Sequence, residues 1–134
     1  MKTGNGSQRT IFLLEEDDDT RVPLVRNLRG DGYRVIVTID EEDALERVGD
    51  GYVRADLVLI DLVGKTADEG LSVGRRIRQH VKHNGRTPLV VMAEKYGKDV
   101  EGTEKNVVDA DWVLYLGEEP YQLRNFLARL TLHE

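Results

Sequence analysis

The chain has 134 residues, 40% of them apolar, with 25 acidic against 19 basic side chains and a formal net charge of −6. That length suits one domain able to bury its own core, and the negative balance argues against nonspecific nucleic-acid binding. No apolar run approaches the ~20 residues of a membrane span, and the absence of Cys excludes disulfides, thiol chemistry and cysteine-ligated metals.

Residues 1–8 are Gly-rich and polar and read as a flexible lead-in, leaving 9–134 as one domain. The first apolar run, 11–14, has the near-continuous character of a parallel strand covered on both faces. Five adjacent acids, Glu15 to Asp19, follow it. A helix comes next, with Leu24, Val25 and Leu28 on one face and a stop at Gly30 and Gly32; Pro23, early in it, is expected to delay its start or bend it. A second strand over 35–39 leads to a helix capped by Asp40, with Asp43 at the box position and Ala44, Leu45 and Val48 inward. The third strand, 57–60, precedes a helix lined by Leu71, Gly74, Ile77 and Val81. The fourth, 89–92, precedes a weak helix over 99–108, whose apolar residues are Val100, Val107 and Val108 and which Gly102 interrupts. The fifth strand, 112–116, leads to the clearest helix, opened by Pro120, with Leu123, Phe126, Leu127 and Leu130 on one face. Strands alternating with helices in this way specify a doubly wound α/β fold with a parallel sheet. No output domain is expected beyond the last helix.

Sites in such folds lie beyond the carboxyl ends of the strands. Glu15 and Glu16 follow the first strand, Asp61 the third, Ala93 and Glu94 the fourth, and Gly117 the fifth. If the first and third strands are neighbours, Glu15, Glu16 and Asp61 converge, and packed carboxylates raise each other's pKa unless a cation neutralises them. An oxygen-preferring ion such as Mg²⁺ suits that set, and it would offset the charge of a phosphoryl group delivered to an Asp nucleophile. The plainer reading is that these acids cap helices or end strands. His80, His83 and His133 lack carboxylate spacing and read as solvated or helix-end cations.

Over about residues 9–132 the sequence resembles the receiver domain of two-component response regulators. The resemblance is carried by Ile11-Phe12-Leu13-Leu14-Glu15-Glu16, by Ala55-Asp56-Leu57-Val58-Leu59-Ile60-Asp61-Leu62 with Gly70 and the Arg75-Arg76-Ile77-Arg78 helix, by Thr87-Pro88-Leu89-Val90-Val91-Met92, and more weakly by Ala110-Asp111. It implies a flavodoxin-like three-layer (βα)5 sandwich with a parallel five-stranded sheet of order 2-1-3-4-5. It also implies Asp61 as phospho-acceptor, with Glu15, Glu16 and Asp61 as the Mg²⁺ site.

Several positions depart from that pattern. Ala93 stands where the family has a Ser or Thr that contacts the phosphoryl group, and Val113 stands where an aromatic switch residue is usual. Leu116-Gly117 replaces the Lys-Pro pair whose Lys contacts the phosphate, Glu16 replaces a shorter Asp, and the loop after Asp61 lacks the family's Pro and reads one residue longer. Losing one donor to developing charge costs about 3–4 kcal/mol; Lys65, Lys95 and Thr66 are the neighbours able to substitute. The expectation is an atypical receiver, or pseudo-receiver: a signalling domain acting as a protein-interaction module with impaired or absent phosphorylation switching. The alternative is a functional phosphorelay receiver, accepting phosphate on Asp61 from a histidine kinase with Mg²⁺.

Enzymatic turnover is not expected. A phosphohydrolase of this topology wants a second Asp two residues after the nucleophile, where Val63 stands, and no Gly-rich phosphate loop follows the first strand. The resemblance implies protein partners (a histidine kinase, a phosphotransfer protein or a downstream target) and a homodimer through the fourth helix, fifth strand and fifth helix. Tyr121 is the surface aromatic in that region, while Trp112 and Tyr115 read as core. The lack of Cys suits a reducing compartment, so a cytoplasmic location is expected.

Overall fold

The computed structural model describes residues 8–82 and 86–132. The expected lead-in, apart from Gln8, lies outside the described residues, as do His83 and His133. Strands β1 (Thr10–Glu15), β2 (Arg34–Thr38), β3 (Leu57–Asp61), β4 (Leu89–Met92), β5 (Glu104–Val108) and β6 (Asp111–Leu114) form one six-stranded sheet of order β2-β1-β3-β4-β6-β5. Every pairing is parallel except that of β5 with β6. Alternation along the central strands divides the core. Ile11, Leu13, Leu57 and Leu59 pack with Leu24, Val25 and Leu28 of α1 (Asp18–Gly30) and with Phe126 and Leu127 of α4 (Gln122–Thr131). Phe12, Leu14, Val58 and Ile60 pack on the other face with Ala44 and Val48 of α2 (Glu41–Val48) and with Leu71 and Ile77 of α3 (Ala67–Arg78). Strands buried on both faces therefore need the continuous apolar runs the sequence carries.

The helix starts are set by side-chain caps. Asp17 accepts from Asp19 N at 3.1 Å and from Thr20 Oγ1 at 2.8 Å, so α1 begins ahead of Pro23 and its start is not delayed. Pro23 forgoes only a bond to exposed Asp19, whose carbonyl water can reach. Asp40 accepts from Asp43 N at 2.7 Å, and Asp43 returns a bond to Ile39 N at 3.0 Å. Thr66 and Glu69 form a capping box at α3. Val81 lies past the end of α3 and is half-buried.

The fourth helix expected over 99–108 is not formed. A single 3₁₀ turn (Lys98–Val100) is followed by β5, which pairs antiparallel with β6 through a bend at Asp109 (φ 51°). Gly102 at φ +82° breaks any helix there, and the β-branched Val107–Val108 pair suits an edge strand. The expected order therefore holds with β6 in fifth place, one antiparallel strand added outside it, and four α-helices among the described residues. A homodimer face that includes a fourth helix has no counterpart; β5 occupies that flank.

Two devices seat α3. Gly70 and Gly74 let it approach β4 so closely that a Cβ would meet Val91 Cγ1 at 2.6 Å and Leu89 Cδ1 at 2.4 Å. Asp111 is buried at the start of β6 and accepts from Arg75 Nε at 2.8 Å and from Arg78 Nη1 at 2.5 Å. Burial works to raise the Asp111 pKa, and the two guanidinium bonds outweigh it and hold the pKa below the usual carboxylate range. Replacing Gly74 with Val forces this contact open. It is expected to cost about 1–3 kcal/mol in chemical denaturation; an unchanged midpoint would show that α3 does not rest on Leu89.

Candidate functional site

The carboxyl ends of β1 and β3 meet in register, with Glu15 opposite Asp61. Glu15 is 1% exposed and Asp61 is half-buried. Glu15 Oε2 accepts from Asp17 N at 3.2 Å, while Oε1 is buried with no hydrogen-bond partner. Burial, followed by the adjacent Asp61 carboxyl, pushes Glu15 up to about 9. Asp61 is raised as well, first by burial and then by the charges of Glu94, Asp17 and Glu16, against the lowering effect of the neighbouring Glu15 carboxyl. Both carboxyl groups are thus biased toward the protonated form, in a site dominated by negative charge.

The neighbouring acids serve the loop between β3 and α3. Glu16 Oε1 accepts from Val63 N at 2.8 Å, and Glu94 Oε1 accepts from Gly64 N at 2.8 Å. The β1–α1 loop closes on β3 through Glu16 N to Asp61 O at 3.3 Å. Arg21 reaches the backbone beside the cluster, where its Nη1 donates to the Glu15 carbonyl at 2.9 Å and its Nη2 pairs with Asp18. Lys65 and Lys95 are exposed, and no ion pair joins either to the acids among the described residues. The Thr66 hydroxyl is committed to the α3 cap.

The expected Mg²⁺ set is only partly assembled. Glu15 and Asp61 adjoin, Glu16 faces the loop, and no group of three acids stands in metal-ligating geometry among the described residues. Mg²⁺ commonly takes one or two carboxylates and keeps several waters. The donor-less Glu15 Oε1 beside Asp61 fits such an ion. When bound there, it would neutralise the pair and supply positive charge toward a phosphoryl group.

The degenerate positions are closed off by other contacts. Ala93 is half-buried, and its N donates to Leu114 O at 3.0 Å. Val113 is core at 2% exposure. The Leu116 carbonyl accepts from the Tyr96 hydroxyl, and the Tyr96 ring meets Tyr115 edge-on at 5.4 Å. Gly117 lies so close to Gly102 that a Cβ would come within 2.9 Å of its Cα. Gly117 N donates to buried Gln122, which in turn donates to Glu104 Oε2 at 2.9 Å. Trp112 packs edge-on against Phe126 at 5.2 Å, and Tyr121 is 55% exposed. His80 is exposed at the end of α3. Sequence reasoning gave no role to Glu94, Tyr96, Arg21 or Gln122. Glu94 was visible as an acid following a strand, whereas Tyr96 and Gln122 depend on the unforeseen hairpin.

No protein-family model matches the chain, and no curated protein does. Solved structures do. The receiver domain of the hybrid histidine kinase CckA superposes with a TM-score of 0.61 at 20% identity, covering 91% of this chain and 98% of that one. The chemotaxis response regulator CheY4 of Vibrio cholerae gives 0.63 at 19%, covering 92% and 98%. The receiver domain of the Pseudomonas aeruginosa sensor histidine kinase PA1611, with a magnesium ion coordinated in its active-site cleft, gives 0.63 at 22%, covering 94% and 99%. The chain has the receiver-domain fold. Within that fold Glu15 and Asp61 stand where the β1 and β3 ends adjoin, and the hairpin of β5 and β6 replaces a crossover helix.

The raised Glu15 pKa carries a definite pH signature. The folded state holds a proton that the unfolded chain, with Glu15 near 4.5, releases. This stabilisation is complete below about 4.5 and is lost as pH rises toward about 9. Without divalent ions, stability should fall with rising pH across that window, and Glu15→Gln should flatten the slope. A rise in stability over the same range would contradict a protonated Glu15.

Proposed function

We propose that this chain is a receiver-like signalling domain that works through protein contacts, with phosphorylation-driven switching impaired or absent. The observation that carries this reading is that, among the described residues, no basic side chain or hydroxyl bonds the Asp61 carboxylate. Ala93 has no donor, Leu116 has no charge, and Thr66, Arg21 and Glu94 are each engaged in local bonds. A receiver that responds to phosphate needs donors at the phosphoryl group and a mobile element that reads them. Here the segment after β6 is pinned by Tyr96, Gln122 and the Gly102–Gly117 contact. Partners of this fold's signalling class, a histidine kinase, a phosphotransfer protein or a downstream target, would then read a standing surface.

A second reading has support from one feature. Asp61 is retained beside the donor-less Glu15 Oε1, as a phospho-acceptor with a bound divalent ion would require. Both readings place the domain in signal transduction and neither makes it an enzyme.

Adding BeF₃⁻ with Mg²⁺ to the isotope-labelled chain separates them. The proposal expects any amide shifts to stay around Asp61 and Glu15, with Val113, Leu116 and Gln122 unmoved. Shifts reaching those three residues, together with acetyl phosphate adding one phosphoryl mass that Asp61→Asn abolishes, would establish the switching receiver instead.

A further inference from the structure

Among the described residues the sheet ends at β2, on the flank opposite the hairpin. Arg34 N donates to Arg9 O at 2.9 Å, so Arg34, Ile36 and Thr38 turn their backbone polar groups toward β1. Val35 and Val37 alternate with them and turn theirs outward. Val35 O receives one long contact from Arg29 Nη2 at 3.4 Å; no other protein group meets the outward edge among the described residues. An unpaired row of this kind is a ready template for another strand.

The side chains around the edge share one charge. Arg29 from α1, Arg34 from β2 and Arg47 from α2 line a groove of about 680 Å³ along 35–37, and Arg26 stands nearby on α1. None of the four forms an ion pair with a carboxylate among the described residues. Arginines elsewhere do, as Arg76 with Glu41 at 2.5 Å and Arg129 with Glu104 at 2.9 Å. No acidic side chain lines the groove, and Asp31 and Asp43 are engaged with Arg124 at 3.6 Å and with Ile39 N. In a chain of net charge −6, unpaired arginines thus gather around one strand edge. They flank it on both faces. Val35 and Val37 pack toward α1, where Arg29 lies, and Ile36 packs toward α2, where Arg34 and Arg47 lie.

We propose that the β2 edge binds an extended acidic segment of a partner protein, which joins the sheet as a further strand. Its N–H and C=O groups pair with Val35 and Val37, and its carboxylates meet Arg29 on one face and Arg34 and Arg47 on the other. A second copy of this chain would bring its own Arg34 to the junction and be repelled. A nucleic acid would satisfy the arginines and leave the backbone row unpaired. The inference is independent of whether Asp61 accepts phosphate.

The full chain titrated with an acetylated, amidated Glu-Val-Glu-Glu-Val-Glu peptide and followed by amide spectra tests this. The largest shifts and slowed hydrogen exchange should fall at Val35 and Val37. Arg34→Glu and Arg47→Glu, both at exposed side chains, should each weaken binding about tenfold, and N-methylation of alternate peptide amides should abolish it. Equal binding of the methylated peptide, tighter binding of a single-stranded oligonucleotide, self-association through β2, or unmoved Val35 and Val37 would each overturn the proposal.

Discussion

The parallel register of β1 against β3 places Glu15 beside Asp61 at the end of two fully buried strands, and much of the surrounding structure answers that constraint. Two carboxylates cannot both stay ionised in such a setting without a cation. Among the described residues no cation pairs with them: Arg21 is spent on a backbone carbonyl and Asp18, Lys65 and Lys95 are exposed without an ion pair, and Glu16 and Glu94 add negative charge while holding the loop at Val63 and Gly64. The raised Glu15 pKa favours a proton there, which would relieve the pair. The acidic run that follows β1 is therefore divided by role, with Glu15 buried in the site, Glu16 bracing a loop, and Asp17 capping α1.

The flank around β6 follows a different logic. Where a crossover helix is expected, the chain makes a short turn and returns as an antiparallel strand. That choice brings Gly102 against Gly117 and places Glu104 within reach of Gln122 and Arg129. Tyr96 then closes over the Leu116 carbonyl. The result is a braced connection between the strand ends and α4. Its rigidity comes from backbone proximity and a buried amide. The Leu116 carbonyl and the Gly117 amide are both tied down by these contacts.

Much of this was legible in the sequence because the signals were local. Continuous apolar runs named the central strands, and Asp40 with Asp43 and the i, i+3, i+4 pattern at Leu123, Phe126 and Leu127 named helices that form as read. The adjacency of Glu15 and Asp61 followed from strand order. The stretch over 99–108 misled because its three valines give no strong period of either kind. The strand there is fixed by pairing with β6 and by the Asp109 bend, both non-local. Pro23 misled in a smaller way, since the Asp17 cap sets the start of α1. That Glu16 turns to Val63 was also hidden, for a side-chain direction depends on a loop whose path the sequence does not encode.

The molecule thus presents an acidic site at the strand ends and an arginine-lined edge at β2, with a braced hairpin on the opposite flank. Infrared spectroscopy of the metal-free protein in D₂O at neutral pH tests the Glu15 proton most directly. The account predicts a carbonyl band from a protonated carboxyl group that disappears in Glu15→Gln. A spectrum with every carboxylate ionised at neutral pH would contradict it.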